Sequence, residues 1–374
     1  MNDLIMLLAA CVLCFPILIL MVSIRFEWWS YKISKSSYAV VTGRISNQMR
    51  STGDTSRIFF RGLALDARVI CRHTNSYNGL TGMFYKTPDE VMHRLDFEYT
   101  LPWRKSEIVV VNQEFLTLRR VSRMNREASV IVTKTRLAAR LMHQFIPDIP
   151  CIKMPMYTPV PLPSMIKIHK EVNYAIHLAG HSCLKGTSAV AKAWRVDMPN
   201  LMVTCSWRLA IVHGINLFRS SPNVSIVWDL STPSLHMALR RCEIAIIPSQ
   251  CEGWSHAIRE AMAYGCIVIT CDAPPMNEFI QHMKNGILIP MDQAQPVPVY
   301  SVSMLCRKPL TQNISMLPPP QEIRKSVRMV MRLSLKKRQQ IAQEAHNSWL
   351  RDTTSAIGKW DQFRKQLNSA LGSS

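Results

Sequence analysis

The sequence predicts an α/β protein of two domains, each with a parallel sheet, preceded by one transmembrane helix. Three observations carry that expectation. Short β-branched runs alternate with helical patterns through residues 38–145 and again through 171–290, which is how a parallel sheet with helices on both faces reads. Six prolines fall within residues 146–163 and separate the two stretches. Residues 4–24 (LIMLLAACVLCFPILILMVSI) hold 21 residues without a charge, enough helix to cross about 30 Å of hydrocarbon.

Asp3 is the only charge before the run, so the basic leader of a cleaved signal peptide is missing. Arg25, Phe26, Trp28 and Trp29 close it as interfacial residues do. Arg25, Lys32, Lys35 and Arg44 follow with only Glu27 opposing them, which predicts a single-pass protein with a cytosolic body. The triplets Asn223-Val-Ser and Asn313-Ile-Ser keep a lumenal body as the alternative.

The first domain is expected over residues 38–150. Its strands are residues 38–42 (YAVVT), 67–71 (ARVIC), 107–111 (EIVVV) and 130–133 (VIVT). Helices are expected over 53–65, 113–124 and 134–145, with an irregular stretch over 73–105. Residues 151–170 read as an interdomain linker. The second domain, 171–320, has strands at 174–178, 201–205, 224–227, 243–247, 266–270 and 286–289. Helices are expected over 187–194, 235–241 and 255–263. Residues 321–367 read as a basic helical tail packed along one domain.

Composition narrows the function. With 48% hydrophobic and 19% charged residues the chain is not disordered. Its net charge of +20 is unevenly spread: residues 31–170 and the tail hold the excess, while 171–300 are neutral. A basic first half suits an anionic membrane surface. No nucleic-acid partner is expected, because no reading motif accompanies the charge. The eleven cysteines lie mostly in apolar runs and form no paired CxxC, so they read as small buried hydrophobes in a reducing compartment, not as zinc ligands.

The chemistry concentrates in residues 248–290. A strand feeds a loop with Glu252-Gly253-Trp254-Ser255, and the helix after it carries Glu260. Free N–H groups at such a loop-to-helix junction suit an anion, and Gly253 lets a phosphate approach the backbone. Glu260, about one turn further, can accept from the vicinal hydroxyls of a ribose. A second loop, Gly180 and His181 through Lys185-Gly186, leaves a strand and enters a helix, which suits a phosphate clamp. It lacks the GxxxxGK[ST] spacing. No DxD stands at a strand end, so no metal is expected.

Together these segments resemble the carboxyl-terminal donor domain of the retaining GT-B glycosyltransferases, in particular the glycosyltransferase 4-like group. Glu252 to Glu260 matches the family's Glu-x7-Glu segment. Glu260-Ala261, the Gly265-Cys266-Ile267-Val268 strand, Glu278 and the Asn285-Gly286 hairpin follow as in the family. Asn112-Gln113-Glu114 and Lys134-Thr135 are weaker echoes in the first domain. Many relatives carry an arginine where His181 stands, in a loop one residue longer.

The resemblance implies a GT-B fold, two Rossmann-like domains facing across a cleft, here behind one transmembrane helix. It implies a glycosyltransferase, membrane-anchored here by the segment 4–24, that takes a UDP- or GDP-linked sugar as co-substrate, with no other cofactor. The acceptor would be lipid-linked, a glycan or a protein. Glu260 would hold the ribose, Lys185 and His181 the diphosphate, Glu252 would lie near the transferred sugar or the phosphates, and Glu278 would support the loop beside the diphosphate. His73, after the strand at 67–71, is the acceptor-side candidate. The alternative is a GT-B scaffold without catalysis.

Overall fold

The computed structural model describes residues 95–97, 108–111, 113, 116, 118–158, 160, 170–180, 183–206, 221–292, 295–296 and 316–372. The segment 4–24, the strands expected at 38–42 and 67–71, His73 and His181 lie outside the described residues.

Among the described residues, the first unit is a four-stranded parallel sheet in the order β1-β2-β3-β4: β1 Leu95–Phe97, β2 Ile108–Val110, β3 Val130–Thr133 and β4 Cys151–Lys153. Helix α1, Leu118–Glu127, and α2, Arg136–Phe145, cover one face. The alternation along β2 and β3 decides which side chain goes where. Val109, Val111 and Ile131 face Val121, Met124, Met142 and Ile146 of that helical layer. Ile108, Val110, Val130 and Val132 face the opposite way. Cys151–Lys153, at the start of the proline-rich stretch, is an edge strand of this sheet.

The second unit is a six-stranded parallel sheet in the order β10-β9-β8-β5-β6-β7. Its strands are β5 Glu171–Gly180, β6 Asn200–Cys205, β7 Val224–Trp228, β8 Cys242–Ile247, β9 Ile267–Cys271 and β10 Ile287–Ile289. Helices α3 Thr187–Ala193, α4 Thr232–Arg241 and α5 His256–Ala263 connect them. Along β8 the alternation again sorts the faces: Ile244 and Ile246 pack with α3, while Ala245 and Ile247 pack with α4 and α5. Central strands buried on both sides explain the apolar run IAII at residues 244–247.

The carboxyl-terminal segment bridges the units and is not a helix along one of them. Helix α6, Pro320–Arg332, buries Ile323, Val327 and Val330 on the α3 face of the second sheet. Helix α7, Leu335–Gly358, lays Ala345 and Trp349 on the opposite face. Its last turns and helix α8, Trp360–Gly372, return to the first unit, where Ala356, Trp360, Phe363 and Leu367 cover Ile108, Val110, Val130 and Val132. The apolar side chains on this face of the first sheet account for the crossing.

The expected transmembrane helix requires a correction. Among the described residues no helix is long and apolar enough to cross a membrane. The longest, α7, has 24 residues but carries Lys336, Lys337, Arg338, Glu344, Arg351 and Asp352 along its length, each costly in hydrocarbon. The fold is therefore two Rossmann-like α/β units, and no membrane anchor or single-pass topology is carried into the functional reading. The sequon at Asn223 is also engaged inside the fold. Its Nδ2 donates to the carbonyls of Arg195, Met198 and Pro199.

Candidate active site

Strand order decides where the second unit can hold a ligand. From β5 the chain proceeds outward through β6 and β7, then returns to place β8 on the other side of β5. The loops leaving β5 and β8 therefore part in opposite directions, and a crevice opens at the carboxyl ends of those two strands. Gly180, Lys185 and Gly186 lie on the first loop, Glu252 to Ser255 on the second.

The two loops are locked together. Gln250 N–H donates to the Leu184 carbonyl at 2.7 Å. Gly186 has φ +70°, and a Cβ there would meet the Pro248 carbonyl oxygen at 2.2 Å, so only glycine fits. His177, buried in β5, supports the loop from below. Its Nδ1–H donates to the Ile246 carbonyl at 2.7 Å, and its Nε2 accepts from the Thr187 hydroxyl at 3.0 Å. Burial lowers its pKa to about 4, with nearby Lys185 acting in the same direction and the Ile246 bond opposing, so the ring is neutral and the tautomer is set by the carbonyl.

Within the crevice Lys185 Nζ donates to Glu252 Oε1 at 2.5 Å, and the Ser249 hydroxyl reaches the same oxygen at 2.5 Å. Glu252 is buried and Lys185 half-buried. Cys271 beneath them has its thiol pushed up, first by burial and then by the Glu252 charge, which keeps it an inert core residue. Ser255 follows at the start of α5 in the left-handed region, φ +65°, with its buried Oγ lacking a hydrogen-bond partner. A serine held there is backbone strain stored at a loop that presents N–H groups.

Glu260 lies one turn into α5, is almost fully buried, and has His236 Nε2 at 3.9 Å from its Oε1. His236 comes from α4 and stacks tilted against Tyr264, centroids 5.3 Å apart. Periodicity marks α4 only as a packing helix, so sequence reading passed over His236.

The first unit presses on this loop from across the seam. Gln113, in the turn after β2, donates from Nε2 to the carbonyls of Glu252 at 2.5 Å and Gly253 at 3.2 Å. Thr158 accepts from Trp254 Nε1 at 3.3 Å and pairs with His256 Nδ1 at 3.0 Å. Trp254 also stands edge-on to Phe279, centroids 4.9 Å apart.

Glu278 reaches across to the first unit. Its two carboxylate oxygens accept from the N–H groups of Arg136 and Leu137, each at 2.9 Å. It thus caps helix α2 of the other unit, alongside the Thr135 side chain that accepts from Ala138 N–H. Lys185, Ser249 and Glu252 are brought together directly, with Gly186 and Gly253 in the same loops. Glu260 stands further along α5.

Residues 218–297 match the family model for glycosyl transferases group 1. No curated protein matches the chain. Among solved structures, the pneumococcal O-GlcNAc transferase GtfA in complex with UDP and GlcNAc is 12% identical, with a TM-score of 0.50; the match covers 70% of this chain and 52% of that one. The chain thus spans about half the length of that relative. Sucrose-phosphate synthase from Thermosynechococcus elongatus is 12% identical with a TM-score of 0.52, covering 72% of this chain and 70% of that one. The chain resembles the group 1, glycosyltransferase 4-like enzymes, carrying their family segment at residues 218–297 within a GT-B fold.

Proposed function

We propose that the chain is a metal-independent glycosyltransferase that moves a sugar from a nucleotide-sugar donor to a glycan or protein acceptor with retention of configuration. The observation that carries this reading is the Lys185–Glu252 pair at the β5/β8 switch point, beside the start of α5. An acceptor hydroxyl attacks the anomeric carbon as its bond to the diphosphate oxygen breaks, and the hydroxyl proton passes to the departing phosphate. The nucleoside diphosphate leaves with the charge, which Lys185 and the backbone N–H groups after Gly253 neutralise. In this reading Lys185 exchanges part of its contact with Glu252 for the diphosphate, and Glu260 accepts from the ribose hydroxyls. A UDP-linked donor is favoured over a GDP-linked one by the UDP in the GtfA complex.

Calorimetric titration of the protein with UDP, GDP and their sugars tests the reading. One nucleotide should bind saturably, and Glu260→Ala and Lys185→Ala should each weaken it by about tenfold or more, the scale of a lost charge-assisted hydrogen bond. If the folded protein takes up neither nucleotide, the enzyme reading is wrong.

A further inference from the structure

Gln113 is more than a strut between the units. It is buried, with 1% of its surface exposed, and its carboxamide has only one possible orientation. The Glu252 and Gly253 carbonyls can only accept, so the nitrogen must face them. The amide oxygen, Oε1, is then turned away from both, and it is buried without a hydrogen-bond partner. A buried carbonyl oxygen left in that state is costly, and native proteins pair the great majority of such groups. A second uncommitted polar atom lies three residues along from Glu252: Ser255 Oγ, also buried and unpartnered, on a residue with φ +65°. Both orphan atoms flank the one loop that carries Glu252.

We infer that Gln113 reads the transferred sugar: its Oε1 accepts a hydrogen bond from a hydroxyl of the donor's sugar ring while Nε2 holds the loop that carries Glu252. This rests on the donor-site reading above and deepens it, because it makes the first unit a specificity-determining wall of the donor pocket. A hydroxyl is the chemistry required. Oε1 needs a donor, the position borders the loop that carries Glu252, and a buried acceptor discriminates strongly against an analogue that brings no O–H.

Two substitutions separate the sugar contact from support of the loop. Gln113→Lys retains a nitrogen donor for the two carbonyls and lacks the acceptor; Gln113→Met lacks both. Each is titrated with UDP, UDP-glucose, UDP-N-acetylglucosamine, GDP and GDP-mannose, after thermal melting shows that it folds. The wild type should bind one sugar nucleotide more tightly than the matching nucleoside diphosphate. Gln113→Lys brings a cation toward the diphosphate and should bind it at least as tightly as the wild type, yet lose about tenfold of the added affinity from the sugar. If Gln113→Lys keeps that increment, even where Gln113→Met loses it, Gln113 serves only the loop and the inference is overturned. It is also overturned if the sugar adds nothing in the wild type. Uptake of no nucleotide by the wild type would instead remove the donor site, and the inference with it.

Discussion

His177 and Gly186 show how much of the crevice depends on single atoms beneath it. The His177 ring is neutral in the fold with a pKa of about 4, against about 6.5 in an unfolded chain. The unfolded state therefore binds the extra proton first as pH falls. The stability this residue allows is complete above pH 6.5 and is lost progressively as pH falls toward 4, reaching a loss of about 2 kcal/mol by pH 5. Urea unfolding at pH 7 and pH 5 should show that loss, and His177→Phe should flatten the difference. At Gly186 the obstacle is steric, since alanine would be driven into the Pro248 carbonyl and into an unfavourable φ at once. Gly186→Ala should cost about 2–4 kcal/mol, measured by the same unfolding curves. The sequence made Lys185, Gly186 and Glu252 legible as site residues. It did not reveal that Lys185 and Glu252 pair with each other, because 67 residues separate them and the strand order that joins their loops is not a local property.

Helix α2 is the element where local and long-range signals part. Its helical pattern is readable from sequence, and the structure places the helix at Arg136–Phe145, within two residues of the expected 134–145, with Thr135 as its N-cap. Its second cap arrives from the other unit. Glu278 takes the first two N–H groups of α2, where a carboxylate also complements the helix dipole. The neighbourhood is basic: burial lowers the Lys153 pKa, the Glu278 charge opposes that shift, and Arg136 and Lys359 reinforce it. Glu278→Ala should therefore destabilise the protein by about 1–2 kcal/mol. Its distinguishing readout is faster amide exchange at Arg136 and Leu137, while amides of α3 stay protected. No spacing rule finds such a cap, because the carboxylate and the amides it serves lie more than 140 residues apart.

At the scale of the molecule, the carboxyl-terminal helices decide whether the two units form one body. Alternation in the sequence predicted two parallel sheets, and both are present; what it could not predict is that the first sheet borrows a layer from the end of the chain. Residues 321–367 read from the sequence as a basic helical tail, and nothing local says which sheet α8 covers. The structure assigns it to Ile108, Val110, Val130 and Val132 through Trp360, Phe363 and Leu367. Arg259, buried in α5, pairs with Asp352 of α7 at 2.7 Å, so the same segment is tied to the helix that carries Glu260. Trp360→Ala empties a site that is 2% exposed and should cost about 3–5 kcal/mol. The loss should fall on the first unit, because α8 is its cover while α6 and α7 remain on the second. Limited proteolysis of Trp360→Ala should then cleave within residues 108–153 well before it cuts the 171–292 sheet. Equal protection of both regions would mean that the first sheet holds its core without α8. If the first unit opens as expected, Gln113 and Thr158 leave the Glu252–His256 loop together, and sugar-nucleotide affinity should fall.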